Sequence, residues 1–218
     1  GAPDEIVGWL EGFDRRRLGL CLSLILLGCG SYGVTLGLWR APLQAAYTAA
    51  KFPLLIFLTC AGNALLNGIL AQLLGSGLSF RQTSRAILLS FATAALVLGA
   101  LSPVTLFIIW NAPPLTSTRA VAGHSLTLLL HVGVIAYAGI IGNRRLFRLL
   151  ERMSGQQAIA LRVLTGWLAG NLLLGAQLAW VLRPFIGSPH IPVQFLRDDP
   201  LRGNFYEAVF RALSHLFS

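Results

Sequence analysis

Two histidines lie in the long acid-free part of this chain, and their spacing is the first arrangement that suggests chemistry. His124 and His131 are seven residues apart, so a helix places them near one face. Two imidazoles on one face bind a metal ion or relay protons when further ligands or an acid stand beside them. No carboxylate or thiolate lies at ligand spacing from this pair. We therefore favour hydrogen-bonded histidines between helices and predict no metal site.

Side-chain amides form the second candidate group. Asn63 and Asn67 are four residues apart and share one helix face. An unpaired amide is costly in lipid, so we expect these side chains to point into a helix bundle and to bond across helices for about 1 to 2 kcal/mol. A polar pathway for a solute is the alternative. Both interpretations concern the polar residues Asn63, Asn67, Gln72, His131, Asn171 and Gln177.

Acidic side chains are missing from a long part of the sequence. Between Arg15 and Leu150 there is no Asp or Glu. This part of the chain therefore lacks the carboxylates that paired-carboxylate catalysis, acidic proton relays and carboxylate metal sites require. His124 and Ser125 are neighbours in sequence and point in different directions on a helix, which argues against a catalytic dyad. We predict a protein that is not an enzyme, with no catalytic residue and no cofactor.

Composition indicates a membrane protein. Of 218 residues, 55% are hydrophobic and only 11% are charged, and the mean hydropathy is +0.69. Soluble domains carry about 25% charged residues. The net charge of +9 comes mostly from arginines at the ends of apolar segments, which favours lipid headgroups rather than nucleic acid as partners. The three cysteines, Cys21, Cys29 and Cys60, lie inside apolar segments and are interpreted as small buried hydrophobes.

Apolar segments separated by polar turns define the architecture. Each is long enough, at about 1.5 Å per residue, for a helix to cross a hydrocarbon layer of about 30 Å. The sequence predicts an all-α fold, a polytopic transmembrane helix bundle of about five spans with interfacial amphipathic helices at both ends. The predicted spans are residues 18–39, 52–74, 86–110, 120–141 and 158–182, with a polar turn at 75–82 and a loop from Arg40 to Lys51.

Both ends of the chain carry amphipathic segments outside the bundle formed by residues 18–182. Residues 1–17 combine a short apolar stripe with the basic anchor Arg15, Arg16 and Arg17, and the apolar run that follows is too long for a cleaved signal peptide. The tail, residues 183–218, contains a predicted helix capped by Asn204, which we expect to dock on the bundle, the membrane or a partner. Its docking stripe is Phe205, Val209, Phe210, Leu213 and Phe217.

The distribution of arginines predicts how the chain is oriented in the membrane. A cluster after the fourth span lies on a helix that we expect to continue past the membrane, with its arginines toward anionic headgroups. Basic residues flank the spans mainly on one side, so the positive-inside rule predicts a cytoplasmic N-terminus and an extracytoplasmic tail. The excess of Arg over Lys is typical of a GC-rich bacterial gene, which predicts a bacterial cytoplasmic membrane. The cluster consists of Arg144, Arg145, Arg148 and Arg152.

The hairpin of the second and third spans resembles a known family. Residues 54–75 and the following stretch Ser-Phe-Arg-Gln-Thr-Ser-Arg-Ala-Ile at 79–87 are similar to the middle of bacterial Yip1-family proteins. Those proteins show an apolar span, a small glycine turn, a Ser-Phe-Arg-Gln-like entry and a second span that ends near a proline, which Pro103 matches. The resemblance implies a non-enzymatic integral membrane protein linked to membrane organisation or trafficking, and it carries over no functional residue.

Two classes of function follow from these features. We expect a structural, assembly or membrane-organising role, including that of an accessory subunit of a larger membrane complex. Its partners would be membrane lipids and either other membrane protein subunits or further copies of this chain, and not nucleic acid. The alternative is a small-solute or anion transporter or channel that uses Asn63, Asn67 and Asn171. A continuous polar cavity that reaches the bilayer midplane beside Asn63 and Asn67 would favour transport.

Overall fold

The described part of the chain consists mostly of helices. A computed structural model describes residues 14–73, 78–188 and 190–217, with side chains described up to residue 214. Within these ranges it contains helices and loops and no strand. The predicted all-α class is confirmed. The predicted N-terminal amphipathic helix lies before residue 14, outside the described residues.

In the described part of the chain, five long helices and one short helix follow one another. The five long helices have the length and mean hydropathy needed to cross a bilayer, which indicates a multi-pass membrane protein. Their outward faces expose large apolar side chains such as Leu27 and Phe107, as contact with lipid requires. The helices are α1 (Arg15–Leu38), α2 (Pro42–Leu73), α3 (Phe80–Trp110), α4 (Ala120–Ser154), α5 (Gln157–Val181) and α6 (Phe205–Phe217).

Local sequence signals determine where several helices begin and end. The Asp14 side chain caps α1 by accepting a bond from a backbone N–H of the first turn. Ser79 and Gln82 form a capping box, so α3 begins at Phe80, inside the segment predicted as a turn. α4 ends where Gly155 adopts a φ of 66°, a conformation that favours glycine.

The segment from Arg40 to Lys51 is not the predicted loop, because α2 begins at Pro42. Proline is well suited to the first turn of a helix, where its missing N–H has no intrahelical partner to lose. Lys51 therefore lies more than two turns inside α2. The positive charge that suggested a loop is buried by a different part of the chain.

The helices pack as a ring with one helix against its side. α2, α3, α4 and α5 each contact the next in a closed circuit, and α1 packs on α2 and α3. Glycines make the α1–α2 contact close. A Cβ at Gly33 would lie 2.6 Å from the carbonyl oxygen of Thr48, and one at Gly37 would lie 2.5 Å from that of Gln44. Both positions require glycine at this helix separation.

Two apolar clusters form the core along the bundle. The end that holds the start of α1 and the end of α4 is called the arginine end, and the opposite end is called the cap end. Toward the cap end, Tyr32 of α1 and Leu98 of α3 belong to one buried cluster. Toward the arginine end, Leu150 of α4 packs in the second cluster with Val163 and Trp167 of α5. These clusters fix the helices that carry the polar groups described next.

Candidate functional site

The C-terminal cap, residues 182–188 and 190–204, folds back on the cap end of the bundle around a buried cation. Lys51 is fully buried, and its Nζ donates to the carbonyl oxygens of Leu182, Pro184 and Phe195 at 3.2, 2.5 and 2.6 Å. The rings of Phe185 and Phe195 lie 5.3 and 5.2 Å from the same nitrogen, within cation–π range. Carbonyl oxygens and aromatic faces thus offset the loss of water around the ammonium group.

Two further side chains of α2 bind the backbone of the cap. Gln44 Nε2 donates to the carbonyl oxygens of Pro184 and Phe185 at 2.9 and 3.1 Å. Thr48 Oγ1 donates to the Phe185 carbonyl oxygen at 2.7 Å. Gln44, Thr48 and Lys51 are spaced by four and three residues and so share one helix face. These contacts dock the tail on the bundle, which is the first of the three outcomes expected for it.

Arg183 connects the start of the cap to residues near its end. Its guanidinium donates to the carbonyl oxygens of Pro200 and Asp199 at 2.7 and 2.6 Å, and it stacks on the Trp180 ring at 3.9 Å. Burial lowers the pKa of Arg183, the charge of Arg197 lowers it further, and Asp199 raises it. The unperturbed pKa of arginine lies far above neutral pH, so the guanidinium remains charged and keeps these contacts under physiological conditions.

Three asparagines meet between α2 and α5 and are called the amide cluster: Asn63, Asn67 and Asn171. Asn63 Nδ2 donates to Asn171 Oδ1 at 3.1 Å and to the Thr59 carbonyl oxygen at 2.8 Å. Asn67 Nδ2 donates to Asn63 Oδ1 at 3.2 Å. Asn63 and Asn67 are both 1% exposed. The predicted hydrogen bond between side-chain amides of different helices is therefore present, between Asn63 of α2 and Asn171 of α5.

A small cavity adjoins the amide cluster and is called the polar cavity, after the asparagines in its partly apolar lining. It has a volume of about 60 Å³ and is also lined by Asn143 of α4 and Trp167 of α5. Asn67 Oδ1 and Trp167 Nε1 are buried and lack a hydrogen-bond partner in the part of the chain that the structure describes. A water molecule needs about 10–15 Å³ of such volume and two or more polar partners. The cavity is thus large enough for water that would satisfy both atoms.

Gln72 and Gln177 do not join the amide cluster. Both side chains are exposed, so the expectation that they point into the bundle is wrong. Gln72 lies one residue before the end of α2, and Gln177 lies four residues before the end of α5. Near a helix end, a long polar side chain reaches the membrane–water interface and does not need a partner inside the bundle.

The two histidines have different surroundings. His131 is buried, and its Nδ1 lies 2.8 Å from the hydroxyl of Tyr32, so the favoured interpretation of a hydrogen-bonded histidine is confirmed for this residue. His124 packs on Trp39 with 5.8 Å between ring centroids. Its Nδ1 has no hydrogen-bond partner among the described residues. Over those same residues, no group of three His, Cys, Asp or Glu is arranged to hold a metal ion.

A large cleft between α4 and α5, which reaches inward to α2 and α3, is called the α4–α5 cleft. Its volume is about 1510 Å³ and its lining is mainly apolar. Pockets for drug-sized molecules are about 300–1,000 Å³, so this space exceeds the needs of a small solute. Arg144 and Arg148 line it toward the arginine end. At the cap end it is lined by Arg183, Arg197, Arg202, Asp198 and Asp199, and Arg211 of α6 also lines it. Its walls include Leu128, Val132 and Ile135 of α4 and Leu164, Leu168 and Leu172 of α5.

Helix α6 packs on α4 and α5 and lines part of the cleft. Asn204 caps it as predicted, accepting a bond from the Glu207 backbone at 2.9 Å. Only part of the predicted docking stripe faces the bundle, because Phe210 and Leu213 are 73% and 42% exposed. Phe210 is rotated by about 140° from the first stripe position, at about 100° per residue. The more buried face is Phe205, Ala208, Val209 and Ala212, and the side chain of Phe217 lies outside the described residues.

The predicted headgroup arginines lie at the arginine end. As expected, α4 continues as one helix through the four arginines after the fourth predicted span and ends at Ser154. Its apolar residues Leu146, Leu149 and Leu150 are buried against the bundle, so this part of the helix is held by packing. The arginines themselves are exposed, apart from the half-buried Arg17: they are Arg15, Arg16, Arg17, Arg144, Arg145, Arg148 and Arg152.

Sequence reasoning missed several residues of these sites. Tyr32, Asn143 and Trp167 have their polar partners or cavities on other helices, and no local pattern marks them. Lys51 does have a local signal, because Gln44, Thr48 and Lys51 recur at helical spacing and form a polar stripe. That stripe would have indicated a helix with a polar contact in place of a loop.

No family model, no curated protein and no solved structure matched the chain in the comparisons with known proteins.

Proposed function

We propose that this chain is a non-enzymatic membrane-organising protein that holds a bilayer lipid in the α4–α5 cleft. The observation that carries the proposal is the volume of the cleft, about 1510 Å³, together with its apolar walls. Apolar walls that open between membrane helices match the hydrocarbon chain of a lipid. Transfer of apolar surface out of water does not drive binding inside a bilayer, so van der Waals packing against these walls supplies the affinity.

A non-catalytic role is supported by the chemistry of the bundle. The absence of Asp and Glu between Arg15 and Leu150 removes the groups on which acid–base and metal-assisted hydrolysis depend. The buried polar groups of the described bundle include amides, hydroxyls, a histidine and the Lys51 ammonium group, and most of them bond to one another or to backbone carbonyls. Such groups hold helices together and do not require a reacting substrate.

The proposal includes a location and an orientation. We propose a bacterial cytoplasmic membrane with the arginine end in the cytoplasm and the C-terminal cap outside, because basic residues prefer the cytoplasmic side. A cysteine introduced at Leu201, which is 83% exposed in the cap, should react with a membrane-impermeant maleimide added to intact cells after outer-membrane permeabilisation. Labelling only after lysis would contradict this orientation. Membership in the Yip1 family stays a prediction.

Lipid analysis of the purified protein tests the proposed function. The wild-type protein, extracted in mild detergent, should retain lipid that mass spectrometry detects. Val132→Trp and Leu168→Trp each fill part of the cleft and should lower the retained lipid severalfold. The matched control is Leu27→Trp on α1, a position that is 70% exposed and does not line the cleft. Equal lipid in the wild type and both cleft variants would contradict the proposal.

Transport of a small polar solute is the second candidate function, and the polar cavity beside the amide cluster favours it. Asn67 Oδ1, which has no hydrogen-bond partner among the described residues, lines a cavity that is large enough for water. If this cavity serves transport, Asn67→Leu should abolish glycerol or urea flux into vesicles that contain the protein. Flux no greater than in protein-free vesicles would exclude these solutes.

A further inference from the structure

The charges that line the α4–α5 cleft differ between its two ends. Toward the arginine end, the α4 residues Arg144 and Arg148 line it. They are four residues apart and therefore lie on one face of the helix. At the cap end, Asp198 and Asp199 line the cleft together with Arg183, Arg197 and Arg202, and Arg211 of α6 also lines it. Among the described lining residues no carboxylate accompanies Arg144 and Arg148, whereas the cap arginines have two aspartates beside them and Arg183 already donates to backbone carbonyl oxygens. An anionic group is thus favoured near Arg144 and Arg148.

From this asymmetry we propose that the cleft binds an anionic glycerophospholipid, with its phosphate at Arg144 and Arg148 and its acyl chain along α4 and α5. The inference rests on the proposed function, because it names the lipid class that the cleft would hold. Arginine suits a phosphate, since its planar guanidinium donates two parallel hydrogen bonds. Basic pockets between transmembrane helices are a known form of site for anionic headgroups.

The length of the cleft agrees with a lipid in this orientation. From Arg144 to Leu128 the α4 helix rises by about 24 Å, at about 1.5 Å per residue. One leaflet contributes about half of a hydrocarbon layer of about 30 Å. An acyl chain that starts near Arg144 therefore finds apolar wall for the full depth of its leaflet, provided by Ile135, Val132 and Leu128 in turn.

Polar groups also lie where the glycerol part of the lipid would be. Asn143 precedes Arg144 on α4, and Asn171 belongs to the amide cluster on α5; both line the cleft and the adjoining polar cavity. Two atoms in that cavity, Asn67 Oδ1 and Trp167 Nε1, are buried without a partner among the described residues. Asn67 Oδ1 is a hydrogen-bond acceptor, and Trp167 Nε1 is a donor. Water or a lipid hydroxyl, which both donates and accepts, would satisfy the pair.

A competition experiment tests the lipid class. Delipidated protein is mixed with equal amounts of phosphatidylglycerol and phosphatidylcholine that carry the same acyl chains, and bound lipid is counted by native mass spectrometry. We expect the wild type to retain phosphatidylglycerol in preference. Removing two arginines, each worth about 1 kcal/mol toward an anionic lipid, should reduce this preference about twenty-five-fold in Arg144→Gln/Arg148→Gln.

The matched control is Arg15→Gln/Arg16→Gln. It removes the same charge from exposed residues at the same end of the bundle, and neither residue lines the cleft. We expect this control to keep the wild-type preference. Equal loss in both double variants would overturn the proposed site in favour of a general surface-charge effect.

The remaining outcomes separate this inference from the proposed function. Equal retention of both lipids by the wild type, lost in Val132→Trp, would overturn the anionic selectivity and leave lipid binding in the cleft intact. Retention of neither lipid would refute both. An unchanged preference in Arg144→Gln/Arg148→Gln would refute the assignment of the phosphate to these two arginines.

Discussion

Replacing Lys51 by methionine should weaken the contact between the C-terminal cap and the bundle. Methionine keeps most of the side-chain volume and removes the ammonium donors, so the carbonyl oxygens of Leu182 and Phe195 lose their bonds to α2. Pro184 keeps a bond from Gln44. A hydrogen bond to a charged group contributes about 1.5 kcal/mol at the low end, so two such bonds contribute about 3 kcal/mol. Opening of the cap should then become about a hundredfold more frequent.

Hydrogen exchange in lipid nanodiscs measures that opening. The Arg197 backbone N–H donates to the Arg183 carbonyl oxygen at 3.3 Å, and Lys51 joins the same two parts of the cap through Leu182 and Phe195. Exchange at Arg197 therefore reports whether these two parts of the cap stay together. In Lys51→Met we expect exchange of this amide to rise about a hundredfold, while amides in the middle of α3 keep their protection.

The control for this experiment is Arg162→Met, which makes an equivalent cation-to-methionine change at an exposed position of α5. It should leave exchange in the cap unchanged. If Lys51→Met also leaves it unchanged, the cap is held by its apolar and aromatic contacts, and the role assigned to the buried ammonium is wrong.

Three further predictions concern helix packing, each measured by thermal unfolding in detergent. Gly33→Ala should lose about 1–3 kcal/mol of stability because its Cβ would overlap the α2 backbone, whereas Gly19→Ala, with no atom within 4 Å of its Cβ, should not. Asn63→Leu should cost about 0.6 kcal/mol, the mean for hydrogen bonds between membrane helices, and a loss above about 2 kcal/mol would show a larger role for the amide cluster. Tyr32→Phe should cost about 1 kcal/mol because it leaves His131 Nδ1 without its partner; no change would mean that another donor replaces the hydroxyl.

The helices of the bundle were predictable because hydrophobic length is a local property. The five apolar runs correspond to α1 through α5, and capping residues such as Asn204 predicted a helix start from sequence alone. The prediction failed where a charge is buried by a distant segment. Lys51 was assigned to a loop because the carbonyl groups that receive it are more than 130 positions later in the chain.

The candidate sites were predictable only in part, for a similar reason. The four-residue spacing of Asn63 and Asn67 correctly indicated one inward helix face, and it gave no information about Asn171, their partner on α5. Gln72 was placed with them by residue type alone, although five residues beyond Asn67 a helix has turned by about 140°. The α4–α5 cleft was not predictable at all, since a space between helices depends on how closely they pack.

The anchoring of the cap by main-chain oxygens has a consequence for sequence variation. The hydrogen bonds from Gln44, Thr48 and Lys51 go to carbonyl groups, which every amino acid possesses, and the cap side chains that contact Lys51 are the rings of Phe185 and Phe195. Evolution is therefore free to alter the identity of most residues in segment 190–194, while the three donors on α2 and the two rings stay constant. Related chains should diverge in that segment and still close the same end of the bundle in the same way.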